Sequence, residues 1–88
     1  MPTSTYTVEL TRTAYKHLST IDQRYQSLLI KAIDELSLQP NLGLALKGKL
    51  KGYFKLRVAH YRIIYQLIDS KLIIFIIDIG HRKDIYKW

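Results

Sequence analysis

The 88-residue chain has no cysteine, which excludes disulfides and thiolate zinc sites and leaves packing as its source of stability. Long apolar runs are missing too. The longest strongly apolar stretch, Leu72 to Ile77, is far too short to span a bilayer, so no membrane partner is expected. The N-terminal MPTSTYTVEL lacks a basic segment followed by an apolar one and does not read as a signal peptide. The expected location is therefore cytoplasmic. Acidic side chains number seven against fourteen Lys and Arg, and they are scattered, which argues against a two-metal nuclease. There is no glycine-rich phosphate loop, no nucleophile elbow and no pair of histidines at zinc spacing. Neither a metal nor a cofactor is implied. No repeat, low-complexity segment or linker interrupts the chain, so residues 1–88 read as one domain with a single modest core.

What is present is an ordinary globular composition, 48% hydrophobic and 24% charged, with its charge unevenly placed. Residues 1–46 hold four basic and four acidic side chains, whereas residues 47–88 hold ten basic and three acidic. The whole excess of +7 therefore sits in the second half. A concentrated cationic surface attracts polyanions, nucleic acid first among them. Its centre is KGKLKGYFKLRVAHYRIIY, from Lys47 to Tyr65, which carries Lys47, Lys49, Lys51, Lys55, Arg57 and Arg62 and no acid. From Tyr53 the stretch alternates: Phe54, Leu56 and Val58 on one side, Tyr53, Lys55, Arg57 and Ala59 on the other. That is a half-buried strand with one apolar and one cationic face.

The rest reads as a frame for this face. Residues 6–10 form a short strand, and Thr11 or Thr13 caps a helix reaching about Leu18. Thr20, with Gln23 three residues on, has capping-box spacing and opens a longer helix. Its apolar stripe is Ile21, Tyr25, Leu28, Leu29, Ala32, Ile33 and Leu36, and Pro40 and Gly43 end it. Residues 41–52 are expected to be loop. Strands follow at about Tyr53–Ala59, Tyr61–Ile68 and Leu72–Ile79, with a tight turn at Asp69-Ser70-Lys71 and a break at Gly80. The last strand is apolar on both faces, which suits the middle of a sheet. The order β-α-α-β-β-β predicts an α+β fold, two N-terminal helices packed on one face of an antiparallel sheet.

The chemistry-bearing residues of the basic half are Lys55, Arg57, His60, Arg62, His81, Arg82 and Tyr86. RNA cleavage without a metal needs a base for the 2′-OH, fixed cations for the phosphate and an acid for the leaving oxygen. Lys55 among Arg57 and Arg62 is a candidate base, since like charge disfavours the protonated form of a lysine. Lys55 and Arg57 are equally readable as the solvated side of an amphipathic strand. Arg62, between Tyr61 and Ile63, needs a partner or a purpose in a buried strand. His60 reads as a surface residue, His81 as a sheet-rim residue open to function, and Tyr86 as either a packing side chain or a base-stacking one.

LKGKLKGYFKLR, YRIIYQLID and IGHRKDIY, with the element order, resemble the RelE branch of the RelE/ParE toxin superfamily over nearly the whole chain. The resemblance implies a small α+β toxin of a type II toxin-antitoxin system. It would be a ribosome-dependent endoribonuclease (mRNA interferase) that cuts mRNA in the A site by 2′-OH attack, without metal. Lys55 matches a catalytic strand lysine, Arg62 the phosphate-stabilising arginine, Arg82 the arginine after the final strand, and Tyr86 the substrate-orienting tyrosine. Tyr53 stands where the pattern has a second lysine, and His81 where it has a lysine. Lys55 or His81 would take the 2′-OH proton while Arg62 and Arg82 hold the phosphate, and Lys47, Lys49, Lys51, Arg57 and Lys83 would bind RNA. Implied partners are an acidic cognate antitoxin, mRNA on the ribosome, and operator DNA only as the toxin-antitoxin complex. Two other readings stay open: a ParE-like inhibitor of DNA gyrase, and a catalytically degenerate homologue that only binds antitoxin and operator.

The charge map predicts an antitoxin that is acidic where it covers residues 47–62. Its affinity should fall as salt rises from low to high ionic strength in a titration of the purified pair. An unchanged affinity would contradict that surface assignment.

Overall fold

The β-prone run near the N-terminus forms β1 (Thr7–Leu10), with Val8 and Leu10 packed on the core and Thr7 and Glu9 exposed. The computed structural model describes residues 5–81. After β1 come α1 (Arg12–Thr20), α2 (Gln23–Leu38), β2 (Leu44–Ala45), β3 (Tyr53–Val58), β4 (Tyr61–Ile68) and β5 (Ile73–His81). The strands make one sheet in the order β1-β5-β4-β3-β2. The expected α+β architecture is present, with β5 inside the sheet as its two-sided apolar sequence requires.

Both helices begin on side-chain caps. The Thr11 hydroxyl accepts the Ala14 N–H at 3.0 Å and opens α1. For α2 the expected Thr20 cap is replaced by Asp22, whose carboxylate accepts the Arg24 N–H at 2.9 Å. Thr20 is still the last residue of α1, and its hydroxyl donates to the His17 carbonyl at 2.8 Å. Only Ile21 and Asp22 join the helices, so Thr20 closes one while Asp22 starts the next. A carboxylate there also meets the positive end of the helix dipole. The Gln26 side-chain amide then donates across the joint to the Leu18 carbonyl at 2.9 Å.

Leu29, Ala32, Ile33 and Leu36 of α2 and Ala14 of α1 pack on Ile63, Tyr65, Ile74, Ile76 and Ile79 of the sheet. Phe54, Leu56, Val58 and Tyr61 lie against this cluster, so the apolar side of β3 faces the core as its alternation predicts. Leu28, the outer margin of the predicted stripe, remains about half exposed at 48%.

Three further expectations are corrected. The sheet is not wholly antiparallel, because β1 runs parallel to β5 in the register Thr7↔Ile73 to Leu10↔Ile76. Parallel neighbours need a long crossover, and here the connection runs through α1, α2 and the three strands β2, β3 and β4. The expected loop at 41–52 contains β2, paired antiparallel with β3 through Leu44↔Lys55 and Ala45↔Phe54. A 3₁₀ turn follows at Gly48–Leu50, with Gly48 and Gly52 at φ 65° and 101°, conformations that favour glycine. Gly80 does not end β5: pairing with β4 continues through Arg62↔Gly80 and Tyr61↔His81.

One irregularity decides which side chains face the core. Ile64 pairs with Asp78, but the next residue, Tyr65, pairs with Ile76, so Ile77 is an extra residue in β5. Strict alternation from Ile74 and Ile76 would point Asp78 inward and Ile79 outward. The bulge reverses the alternation, so Ile79 joins the core opposite Ile63.

The cap assignment predicts that Asp22→Ala lowers unfolding free energy by about 1 kcal/mol in urea denaturation. Thr20→Ala should change it by less than about 0.5 kcal/mol. The opposite ranking would restore Thr20 as the cap.

Candidate active site

Register alone gathers the strand cations. Lys55 and Arg57 are two residues apart on β3, and Arg57 lies directly opposite Arg62 on β4. Since Phe54, Leu56, Ile63 and Tyr65 point to the helices, Lys55, Arg57 and Arg62 share the other face. They line a cavity of about 320 Å³ with Leu42, Gly43, Leu44 and Leu56. No carboxylate is among the described residues that line it. Like charges directly opposed across two strands destabilise the pairing, and apolar walls reduce the screening of their field. The side chains of Lys55 and Arg57 make no hydrogen bond or ion pair among the described residues.

The wall opposite the cations is held by a residue from the other side of the sheet. Tyr65 is fully buried. Its hydroxyl donates to the Pro40 carbonyl at 3.0 Å and accepts the Gly43 N–H at 2.9 Å. Gly43 is sterically required, because a Cβ there would stand 2.6 Å from both the Lys55 carbonyl oxygen and the Tyr65 hydroxyl. The clamp thus fixes the segment from Leu42 to Leu44 against β3. Burial raises the Tyr65 pKa, and the hydrogen bond from Gly43 offsets part of that rise.

His81 does not share this cavity. It is paired with Tyr61 and lies with it on the helix side, ring centroids 4.8 Å apart. A second cavity of about 340 Å³ is lined by His17, Thr20, Ile21, Asp22, Tyr61, Asp78, Ile79, Gly80 and His81. His60 sits in the β3–β4 turn, where its Nε2 lies 3.2 Å from the Tyr25 hydroxyl. Lys47, Lys49 and Lys51 are exposed around the turn that precedes β3, away from Arg62. Arg82, Lys83 and Tyr86 lie outside the described residues.

Two groups absent from the sequence reading stand out here. Asp78 is buried, and its Oδ1 lies 2.8 Å from His17 Nδ1, which is also 3.1 Å from the Ile79 carbonyl. Both partners accept, so Nδ1 carries the proton. Oδ1 further accepts the Ile79 N–H at 2.8 Å, and the Thr11 hydroxyl donates to the Ile77 carbonyl at 2.7 Å. Since β1 stops pairing at Ile76, these side chains satisfy the edge of β5 that β1 leaves uncovered. A carboxylate inside LIIFIIDI was a legible signal, because a buried acid needs a partner. That the partner would be His17, 61 residues earlier, was not.

Residues 8–86 match the family described as ParE toxin of type II toxin-antitoxin system, parDE. The chain is 33% identical to toxin RelG of Mycobacterium tuberculosis over 93% of its own length and 97% of the relative's. It is 32% identical to mRNA interferase toxin RelE of Escherichia coli, covering 74% of this chain and 66% of that one. Among solved structures, it resembles a chain of the M. tuberculosis toxin-antitoxin complex RelBE2, with TM-score 0.82 and 31% identity over 89% of this chain and 99% of that one. The isolated E. coli RelE toxin gives a TM-score of 0.77 and 25% identity, over 86% and 83% of the two chains.

The clamp predicts that Tyr65→Phe, which strands Pro40 and Gly43 without their partner, costs about 1–3 kcal/mol in denaturant unfolding at neutral pH. A phenol whose folded pKa is raised stabilises the fold while it is neutral. That contribution is complete below the unfolded value of 10.0 and is lost as pH climbs through and above it. The gap between wild type and Tyr65→Phe should therefore narrow above pH 10.0. A constant gap would refute the buried neutral phenol.

Proposed function

The chain belongs to the ParE toxin family of type II toxin-antitoxin systems, in the RelE-like branch of the RelE/ParE superfamily, and from that premise we propose that it is a ribosome-dependent endoribonuclease. The reaction is cleavage of mRNA in the ribosomal A site by 2′-OH attack, with protein cations taking the place of a metal ion. The observation that carries this reading is the opposed pair Arg57↔Arg62 with Lys55 on the same face, over a cavity whose described lining holds no carboxylate.

In this mechanism the scissile phosphate sits against Arg62 and Arg57, whose fixed charges oppose the negative charge that grows on its oxygens. Lys55 accepts the 2′-OH proton, the 2′-oxygen bonds to phosphorus, and the bond to the 5′-oxygen breaks. That oxygen leaves with a proton from an acid, and a cyclic phosphate remains on the upstream fragment. Proton abstraction is given to Lys55 rather than His81, supported by the cavity that Lys55 shares with Arg62 and that His81 does not line. Arg82 and Tyr86 complete the site only by resemblance.

Relatives solved as RelBE complexes support a cognate antitoxin as partner, and the cationic surface supports an acidic one. Operator DNA is a partner of the pair, not of the toxin alone. The matched family's ParE description keeps one competitor in play, a DNA gyrase inhibitor without cleavage chemistry.

The test is primer extension on a defined mRNA carried by programmed ribosomes. Wild type should produce new 5′ ends at the A-site codon, and Arg62→Ala should reduce them by about 10²–10³-fold, the usual loss on removing one charge-stabilising donor. Intact mRNA together with inhibited supercoiling by gyrase would replace the nuclease with the gyrase reading.

A further inference from the structure

The cavity on the helix side has the reverse chemistry of the cation face. Its described lining offers two carboxylates, Asp22 and Asp78, and two imidazoles, His17 and His81, and contains no lysine or arginine. Tyr61 and His81 present tilted rings with centroids 4.8 Å apart. His60 extends the platform, its ring parallel to His81 within 2° at 6.4 Å, and Tyr25 backs it with centroids 5.1 Å from His60 and 5.6 Å from Tyr61. With Nδ1 held by Asp78 and Ile79, the half-exposed His17 (side chain 51%) is left with Nε2 as a free acceptor in its neutral form. Every buried side-chain nitrogen or oxygen among the described residues has a partner. The second Asp78 oxygen, for which no partner is present among the described residues, is therefore not fully buried, and Asp78 lines both this cavity and one beside Thr11, Thr13 and Ile77.

We propose that this cavity is a nucleobase subsite that takes one unpaired base bearing an exocyclic amine, its ring stacked on Tyr61 and His81 and its amine directed to His17 Nε2 and Asp78. Aromatic faces bind any base, while the acceptors select for amine donors and against phosphate. At about 340 Å³ the cavity is at the small end of ligand sites and suits one ring system. Tyr61 and Arg62 are consecutive residues pointing to opposite faces of β4. A strand whose phosphate lies on Arg62 therefore needs only to pass the sheet end, at the Ala59–His60 turn, to place a base on Tyr61. This deepens the ribonuclease reading and rests on it for the source of the base, whereas the binding itself is measurable without cleavage.

The experiment titrates the full chain with adenosine and, separately, uridine, following the ring resonances of Tyr61, His81 and His17 by NMR. Nucleosides lack phosphate, so the cation face has nothing to hold. Adenosine should shift all three rings and bind more tightly than uridine, which has no exocyclic amine. His81→Ala, exposed and outside the core, should weaken adenosine binding by between about fivefold and a hundredfold. Tyr61→Leu, which keeps an apolar side chain against the core, should weaken it comparably. Adenosine that leaves the three rings unmoved, or that binds His81→Ala as well as wild type, overturns the subsite. So does arginine methyl ester producing the shifts in place of adenosine, since the cavity would then be a cation pocket for a peptide. Active cleavage without adenosine binding sinks the subsite alone, and binding without cleavage sinks the nuclease reading alone.

Discussion

The register of β4 is the constraint on which both sides of this molecule depend. Ile63 and Tyr65 are fully buried beneath the helices, and a slip of one residue would exchange them for Arg62 and Ile64. Driving an arginine into that core in place of a fully buried apolar side chain is prohibitive. Burial of Ile63 and Tyr65 therefore also decides that Arg62 emerges on the far face, opposite Arg57 and Gly80. The core does not merely support the cationic site. It selects which side of the sheet the site occupies.

Tyr65 extends the same logic through the sheet. Its ring stacks on Phe54, centroids 5.3 Å apart, as part of the core, while its hydroxyl ties down the backbone that walls the cation cavity. Gly43 allows that approach because any side chain would collide with Lys55 backbone and the phenol at once. One buried tyrosine couples core packing to the shape of the site. Damage to the core should accordingly be felt on the face that carries no core residue of β3.

Arg57 and Arg62 stand directly opposite one another across β3 and β4. Two guanidinium groups on directly opposed strand positions disfavour the pairing by charge alone, and with Lys55 they concentrate positive potential on one face of the sheet. The helix-side cavity shows the complementary arrangement, with carboxylates and imidazoles against aromatic rings. Cationic and acidic-aromatic surfaces thus lie on the two faces at one end of β4, and the two-residue turn at Ala59 and His60 lies between them. Ala59 takes a left-handed conformation there, at φ 56°, which keeps the turn short.

Much of this was readable in the linear chain, for reasons of period and charge. Alternation through Phe54, Leu56 and Val58 fixed the core face of β3, and the apolar steps of α2 identified Leu29, Ala32, Ile33 and Leu36. The crowding of cations between Lys47 and Arg62 marked a strongly positive stretch, and the two-residue period put Lys55 and Arg57 on the side of β3 away from the core. Local periodicity carries such information because each residue's face follows from its neighbours. The tertiary structure alone decided what depends on an inserted residue or a distant partner. The extra Ile77 reversed the alternation of β5, the end of β1 at Leu10 left an edge for His17 and Asp78 to close, and the pairing of His81 with Tyr61 drew it away from Lys55 and Arg62. A bulge and a contact across 61 positions leave no periodic trace, since hydrogen-bond satisfaction at a sheet edge is settled only when the strands have met.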